Sequence, residues 1–290
     1  MAKIMIDHTT CSGCSFCVLS CPLSVFEQKR EKTAPQIVRA DLCFSCGHCA
    51  ALCPTSALVH ENFPMAALHP VNTGKRPNLE QVLDMVRSRR SIRAFLDKPV
   101  ERPLIEKIIE GARYAPSGMN KQTTEYIVIT DKAMLKDVTY LTYKFFSRAM
   151  KILSNPGIRR LAPFMGKEIR GVLRISGELE NVVDLYEKGR DSILHNAPLL
   201  MLFHGEEGFA FSDMNAALAM HNAGLVCEGA GLGCFISGLV IPACRKDTSI
   251  PKLLSIPRGN KVFGALVIGY PRFTYRRWVE RNAPKVRWIE

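Results

Sequence analysis

The stretch Cys11-Ser12-Gly13-Cys14-Ser15-Phe16-Cys17-Val18-Leu19-Ser20-Cys21-Pro22 is matched in spacing by Cys43-Phe44-Ser45-Cys46-Gly47-His48-Cys49-Ala50-Ala51-Leu52-Cys53-Pro54, and it decides the first part of the fold. Eight of the chain's eleven cysteines lie in these two copies of C-x-x-C-x-x-C-x-x-x-C-P. The spacing lets a tight loop present three thiolates to one 4Fe-4S cube while the fourth reaches another. A disulfide framework is the first alternative, but it belongs to secreted chains. Residues 1–10 (MAKIMIDHTT) have neither the apolar core nor the small-residue cleavage site of an export signal. Zinc, the second alternative, takes paired C-x-x-C knuckles with four ligands each. It does not require a third cysteine at the same step, nor Cys-Pro twice. His48, between Cys46 and Cys49, reads as a solvated loop residue rather than a ligand.

The repeat resembles the bacterial-type ferredoxins that carry two clusters. The resemblance implies a crossed assignment, with Cys11, Cys14, Cys17 and Cys53 on one 4Fe-4S cluster and Cys43, Cys46, Cys49 and Cys21 on the other. A domain of roughly 60 residues is marginal for an independent apolar core, so cluster binding is expected to supply much of its folding free energy. With 290 residues there is room for a second, larger domain. The expected division is a ferredoxin-like domain over 1–60, a linker over 61–77 whose prolines and glycine break either regular period, and a second domain over 78–290. No apolar run approaches the ~20 residues that span a bilayer, since 198–203 and 262–270 are strand-length. The expectation is a protein without a transmembrane segment, in a reducing cytoplasm.

The second domain opens at Asn78, which can cap a helix with Gln81 at its third position. Leu79, Val82, Leu83 and Val86 then form an apolar stripe at helical spacing. A second helix is predicted over 103–114 with Leu104, Ile105, Ile108 and Ile109 facing inward. Strands are predicted over 125–130, 199–203 and 262–270, with a long helix over 213–232 between the last two. Several helices around a small mixed sheet make the fold α+β.

Three motifs in this domain carry chemistry. Arg89-Arg90-Ser91-Ile92-Arg93-Ala94-Phe95 closes a helix with anion-grade donors, although basic helix ends also simply complement the helix dipole. Ala115-Pro116-Ser117-Gly118-Met119-Asn120-Lys121-Gln122 sets a rigid loop whose amides and hydroxyl suit the polar edge of a heterocycle, or serves as an ordinary helix-to-strand turn. Gly229-Ala230-Gly231-Leu232-Gly233-Cys234-Phe235-Ile236-Ser237-Gly238 reads as a glycine-rich loop that a ligand can approach closely.

In their order, these motifs resemble the nitroreductase family of FMN flavoenzymes across residues 78–290, and the whole chain resembles ferredoxin-fused members of it. The resemblance implies contacts from Arg89, Arg90, Ser91 and Arg93 to the FMN phosphate, ribityl chain and pyrimidine edge. It implies that Pro116, Ser117, Gly118, Asn120 and Gln122 reach the flavin of a partner subunit, that Ile236, Ser237 and Gly238 pass near N5, and that Arg277 and Arg281 close over the phosphate. The tail could instead be a solvated terminus. The same resemblance implies a homodimer with FMN at the subunit interface. No side chain is assigned as a catalytic acid, and Ser237 is regarded only as a possible hydrogen-bonding group.

Joining the halves gives an oxidoreductase that passes electrons from a low-potential donor, ferredoxin-like or NAD(P)H, through the clusters to FMN, and then to a small electrophile such as a nitro compound or quinone. The alternative is an electron-transfer or redox-sensing module that relays to a protein partner. The net charge of +12 is uneven, with nine basic residues against two acidic between Lys136 and Arg174. That segment reads as an amphipathic helical cover with a basic face. Nucleic acid is a poor fit because basicity is its only support.

Overall fold

A computed structural model of the chain describes residues 3–161, 164 and 166–290, without the side chains of 159, 161 and 167–169. Two compact units emerge, Met1–Pro77 with Gly118–Lys121, and Asn78–Ser117 with Gln122–Glu290.

The first unit contains β1 (Ile4–Ile6), α1 (Phe16–Ser20), β2 (Phe26–Glu27), β3 (Gln36–Ile37), α2 (His48–Leu52) and β4 (Leu58–His60). Strands β1 and β4 pair antiparallel with Ile4 opposite His60, and β2 pairs with β3. The apolar core is small: Ile4, Val25, Phe26, Cys49, Ala50 and Leu58. The sequence repeat is also a backbone repeat. Gly13 and Ser45, Ser15 and Gly47, and Ser24 and Ser56 all have positive φ, and each pair is separated by the same interval as Cys11 and Cys43. Gly13 is obligatory, because at φ +66° a Cβ would lie 2.4 Å from the Lys32 carbonyl carbon. His48 opens helix α2 and is exposed, so the expectation of a loop residue holds for its solvation and not for its conformation.

The second unit contains α3 (Leu79–Ser88), α4 (Arg102–Arg113), β5 (Glu125–Ile129), α5 (Lys132–Leu153), α6 (Pro156–Leu161), α7 (Lys167–Arg174), α8 (Ser176–Glu187), β6 (Leu199–Glu206), α9 (Ser212–Gly229), β7 (Gly233–Ile236), α10 (Val240–Lys246), α11 (Ser249–Leu253) and β8 (Asn260–Gly269). Its sheet runs β5-β6-β8-β7, every neighbour antiparallel. Both faces are covered, and alternation along β6 shows how. Leu199, Met201 and Phe203 pack with α4 and α9, whereas Leu200 and Leu202 pack with α5, α10 and α11. Gly111 lets α4 approach α9 closely, since a Cβ there would meet Val226 Cγ2 at 2.3 Å.

Helix α3 begins with the full capping box: Asn78 Oδ1 accepts from Gln81 N, and Gln81 Oε1 accepts from Asn78 N, both at 2.9 Å. Its apolar stripe faces solvent in the single chain, with Leu79 71% and Val86 52% exposed. Two expectations needed correction. The glycine-rich 229–238 stretch is not all loop, because residues 233–236 form β7, held by β8 on one side and by the arginine segment on the other. The small sheet expected to be mixed is antiparallel at every strand pair, the parallel Ser91–Cys234 contact being an isolated bridge, while the basic segment 136–174 is helical as expected, in α5, α6 and α7.

Candidate functional site

Two cavities in the first unit divide the eight cysteines in the crossed way. One is lined by Cys11, Cys14, Cys17 and Cys53, the other by Cys21, Cys43, Cys46 and Cys49. Ser15, at the first cavity, and Gly47, at the second, are an equivalent pair with positive φ. Four thiols around each cavity fit a cube bound through sulfur. Backbone donors reach several of them: Val25 N donates to Cys21 Sγ and Ser45 N to Cys43 Sγ, both at 3.4 Å. Burial pushes the Cys49 thiol up to about 11. Burial also acts to raise Cys53, but hydrogen bonds from Leu58, Thr55 and Ala57 outweigh it and hold this thiol below its ordinary value. A thiol that gives up its proton reluctantly becomes a ligand only when iron displaces the proton.

Sequence reasoning missed a residue here. His60 lines the second cavity, is buried, and places Nε2 3.6 Å from Cys43 Sγ. A lone histidine seven residues beyond the last cysteine carries no sequence signal.

In the second unit, residues 89–95 lie extended against β7. Ser91 bridges Cys234, Ile92 N donates to Cys234 O at 3.1 Å, and Phe95 bridges Pro271. Gly233 makes room for this, because a Cβ there would fall 2.6 Å from Ile92 Cγ1. The result is an open cavity of about 310 Å³ lined by Arg89, Arg90, Ser91, Arg93, Tyr275 and Arg281. No carboxylate lines it, and among the described residues none pairs with these four arginines. Arg93 also rests over the Phe235 ring at 5.6 Å. Guanidinium groups without carboxylate partners favour a dianion held by bidentate hydrogen bonds.

The structure thus joins the arginine motif to Arg281 of the tail, while Tyr275 takes the lining position and Arg277 does not. Pro116, Ser117 and Gln122 line a different cavity, with Arg113, Thr124, Tyr126 and Asn215. Gly118–Lys121 belongs to the first unit, where Asn120 Nδ2 donates to Ser45 O at 2.7 Å. Ile236 and Gly238 are exposed. Ser237 is buried and its hydroxyl donates to Ile193 O at 3.4 Å, so its proton is already engaged.

A four-stranded antiparallel sheet with helices on both faces, a cavity lined by four arginines and a unit with two four-thiol cavities define an α+β protein. The chain belongs to the nitroreductase family, whose profile matches residues 86–270, and it carries a 4Fe-4S dicluster domain over residues 10–58. A putative NADH dehydrogenase/NAD(P)H nitroreductase of Archaeoglobus fulgidus is 41% identical over 61 residues, 21% of this chain and 35% of that protein. An uncharacterised ferredoxin of Methanocaldococcus jannaschii is 40% identical over 57 residues, 19% of this chain and 89% of that protein. The match to the first of these relatives thus spans about a third of its length. Among solved structures, an FMN-bound nitroreductase from Bacteroides fragilis superposes with a TM-score of 0.52 at 20% identity, covering 73% of this chain and all of that one. One from Desulfitobacterium hafniense gives 0.53 at 18% identity, covering 72% and 97%. At these identities the structures establish the fold. No described helix is long and apolar enough to cross a membrane.

Proposed function

We propose that the chain is an iron-sulfur flavoprotein oxidoreductase that takes electrons from a low-potential donor through two 4Fe-4S clusters to FMN and reduces a small electrophile such as a nitro compound or quinone. The observation that carries this reading is one chain with two four-thiol cavities and a carboxylate-free cavity lined by four arginines. FMN, when bound, supplies the conversion between one-electron and two-electron chemistry.

The chain's own residues then have definite tasks. Arg89, Arg90, Arg93 and Arg281 neutralise the phosphate, with Ser91 and Tyr275 adding hydroxyl donors. Arg277 remains a tail residue that adds positive charge to this end of the chain. Pro116, Ser117, Gly118, Asn120 and Gln122 serve the flavin of a partner subunit, and Ile236, Ser237 and Gly238 bound its reactive edge through their backbone. The homodimer this requires is supported by apolar groups left exposed on the single chain, including Leu79 and Val86 on α3 and Trp288 near the C-terminus. In this reading the ferredoxin-like domain occupies 1–60, the linker 61–77 and the flavin domain 78–290, in the cytoplasm.

Anaerobic stopped-flow mixing tests the reading. Reduced ferredoxin is expected to bleach the flavin of the intact protein within the turnover time, and Cys14→Ala protein that retains FMN is expected to lose this while keeping slow dithionite reduction. Fast bleaching by NAD(P)H alone, with Cys14→Ala unaffected, would assign the clusters another role.

A further inference from the structure

His60 ends β4 and is only 1% exposed, its ring tilted against Phe63 at 5.1 Å. Its two nitrogens meet different partners. The backbone N–H of Asn62 donates to Nδ1 at 3.2 Å, so in the neutral ring the proton resides on Nε2. Nε2 faces Cys43 Sγ at 3.6 Å, and sulfur accepts hydrogen bonds at such lengths. Around the rest of this corner, Asn62 Nδ2 donates to Ser45 Oγ at 2.9 Å, fixing the loop between Cys43 and Cys46.

The other half of the repeat lacks this contact. Gln28 stands where the repeat interval places the counterpart of His60. Its amide Nε2 donates to Gly13 O at 3.1 Å and to Thr33 O at 2.6 Å, which leaves no side-chain donor for a thiol. The two cavities are alike in thiol number and differ in the side chain nearest a ligand sulfur: the Thr55 hydroxyl lies 3.9 Å from Cys53 Sγ in the first, and the His60 imidazole lies 3.6 Å from Cys43 Sγ in the second.

We propose that His60 donates its Nε2 proton in a hydrogen bond to the Cys43 sulfur and thereby makes the second cluster the higher-potential member of the pair, the place where a single electron rests. A donor aimed at a ligand sulfur stabilises the additional negative charge of the reduced cluster and raises its potential. The event is one electron leaving the first cluster for the second; the proton stays on Nε2 and no ligand bond changes. His60 acts through Cys43 and is a positioning residue. The direction follows: an electron delivered by a low-potential donor passes from the Cys11 set to the Cys43 set and waits there for a second. The inference rests on the assignment of Cys21, Cys43, Cys46 and Cys49 to one cluster, and iron content separates a failure of that assignment from a failure of the hydrogen bond.

The experiment is an anaerobic redox titration of the full-length protein followed by EPR, on wild type, His60→Leu and His60→Gln. In His60→Leu the higher of the two midpoints is expected to fall so that the electron's preference for the second cluster weakens about tenfold, which is about 59 mV for a one-electron couple. The lower midpoint and the iron content are expected to be unchanged. His60→Gln, whose amide can still donate, is expected to recover most of the loss. Unchanged midpoints in His60→Leu at full iron content, or an equal fall of both, would overturn the proposal. Should His60→Leu fail to assemble its clusters, His48→Gln protein labelled with ¹⁵N-histidine decides, because His48 lines the same cavity. Pulsed EPR of the one-electron-reduced protein is expected to show coupling to an imidazole nitrogen, and its absence would refute the assignment.

Discussion

Replacing Gly233 by alanine tests whether the arginine cavity is assembled by packing. A Cβ at this position would lie 2.6 Å from Ile92 Cγ1, 2.7 Å from Ile92 Cβ and 2.8 Å from Ile92 Cγ2. Carbon atoms are comfortable at about 3.5–4.0 Å, so the two chains must part by about 1 Å. Ile92 cannot simply turn away, because its Cβ is one of the clashing atoms. Nor can its backbone retreat cheaply, since Ile92 N donates to Cys234 O and Ser91 bridges the same residue. Overpacking of this kind costs about 1–3 kcal/mol, which for a unit of this size lowers Tm by about 2–12 °C. Ser91 and Arg93 flank Ile92 and line the cavity. A displacement that costs one hydrogen bond from Ser91 to the bound phosphate, about 1 kcal/mol, weakens FMN binding about fivefold. The assay is thermal unfolding of the far-UV signal together with FMN titration by fluorescence. Ile92→Ala alone costs about 2–5 kcal/mol through a cavity, but in combination it removes Cγ1 and Cγ2, two of the three clashing atoms, and so relieves the overlap in part, leaving the Cβ contact at 2.7 Å. The double variant should therefore be more stable than the sum of the singles by more than about 0.5 kcal/mol, the usual margin of additivity. Strict additivity, or Gly233→Ala protein with unchanged Tm and FMN affinity, would refute the packing argument.

Other consequences are open to direct measurement. Arg281→Ala should raise the FMN Kd about 10- to 150-fold, the equivalent of a charge-assisted hydrogen bond of about 1.5–3 kcal/mol, whereas Arg258→Ala, outside the cavity lining, should leave it unchanged; equal effects would disconnect the tail from the anion site. Asn78→Ala should cost about 1 kcal/mol and about 2–4 °C in Tm by opening the capping box, and an unchanged Tm would mean that the start of α3 contributes nothing to stability. Burial holds His204 below its ordinary value despite nearby Glu125. The unfolded chain therefore takes up a proton near pH 6.5 before the folded one does, so stability present above that pH is lost as pH falls toward the folded value. Urea midpoints from pH 7.5 to 5.5 should fall less steeply in His204→Asn than in wild type; parallel slopes would refute this.

What could be read from the sequence was whatever depends on local rules. The cysteine loops follow from ligand spacing, and α3 begins at its capping box because Asn78 and Gln81 satisfy each other's backbone groups within one turn. Strand β6 was legible from an apolar run, although its observed length of eight residues exceeds the five expected. Strand β7 was hidden. Three glycines within five residues suggest a loop, and Gly233 is present because Ile92, more than a hundred positions earlier, needs its space. The position of Tyr275 in the arginine cavity depends on where an extended tail folds back, which no periodicity encodes. His60 was hidden for the same reason, since its meaning comes from strand pairing and from the turn at Asn62.

The matched left-handed positions in the two halves of the first unit also bear on ancestry. Gly13 and Ser45, Ser15 and Gly47, and Ser24 and Ser56 keep the imprint of a duplicated segment, yet the copies have ceased to be interchangeable. Gly13 is pressed against the Lys32 backbone where a side chain has no room, while its twin Ser45 uses its hydroxyl to hold Asn62. Gln28 clasps two carbonyls where its twin His60 approaches a thiol. Recombination that overwrote the first half with the second would drive a seryl side chain into Lys32 and remove the Gln28 clasp. Each copy now evolves under its own constraints.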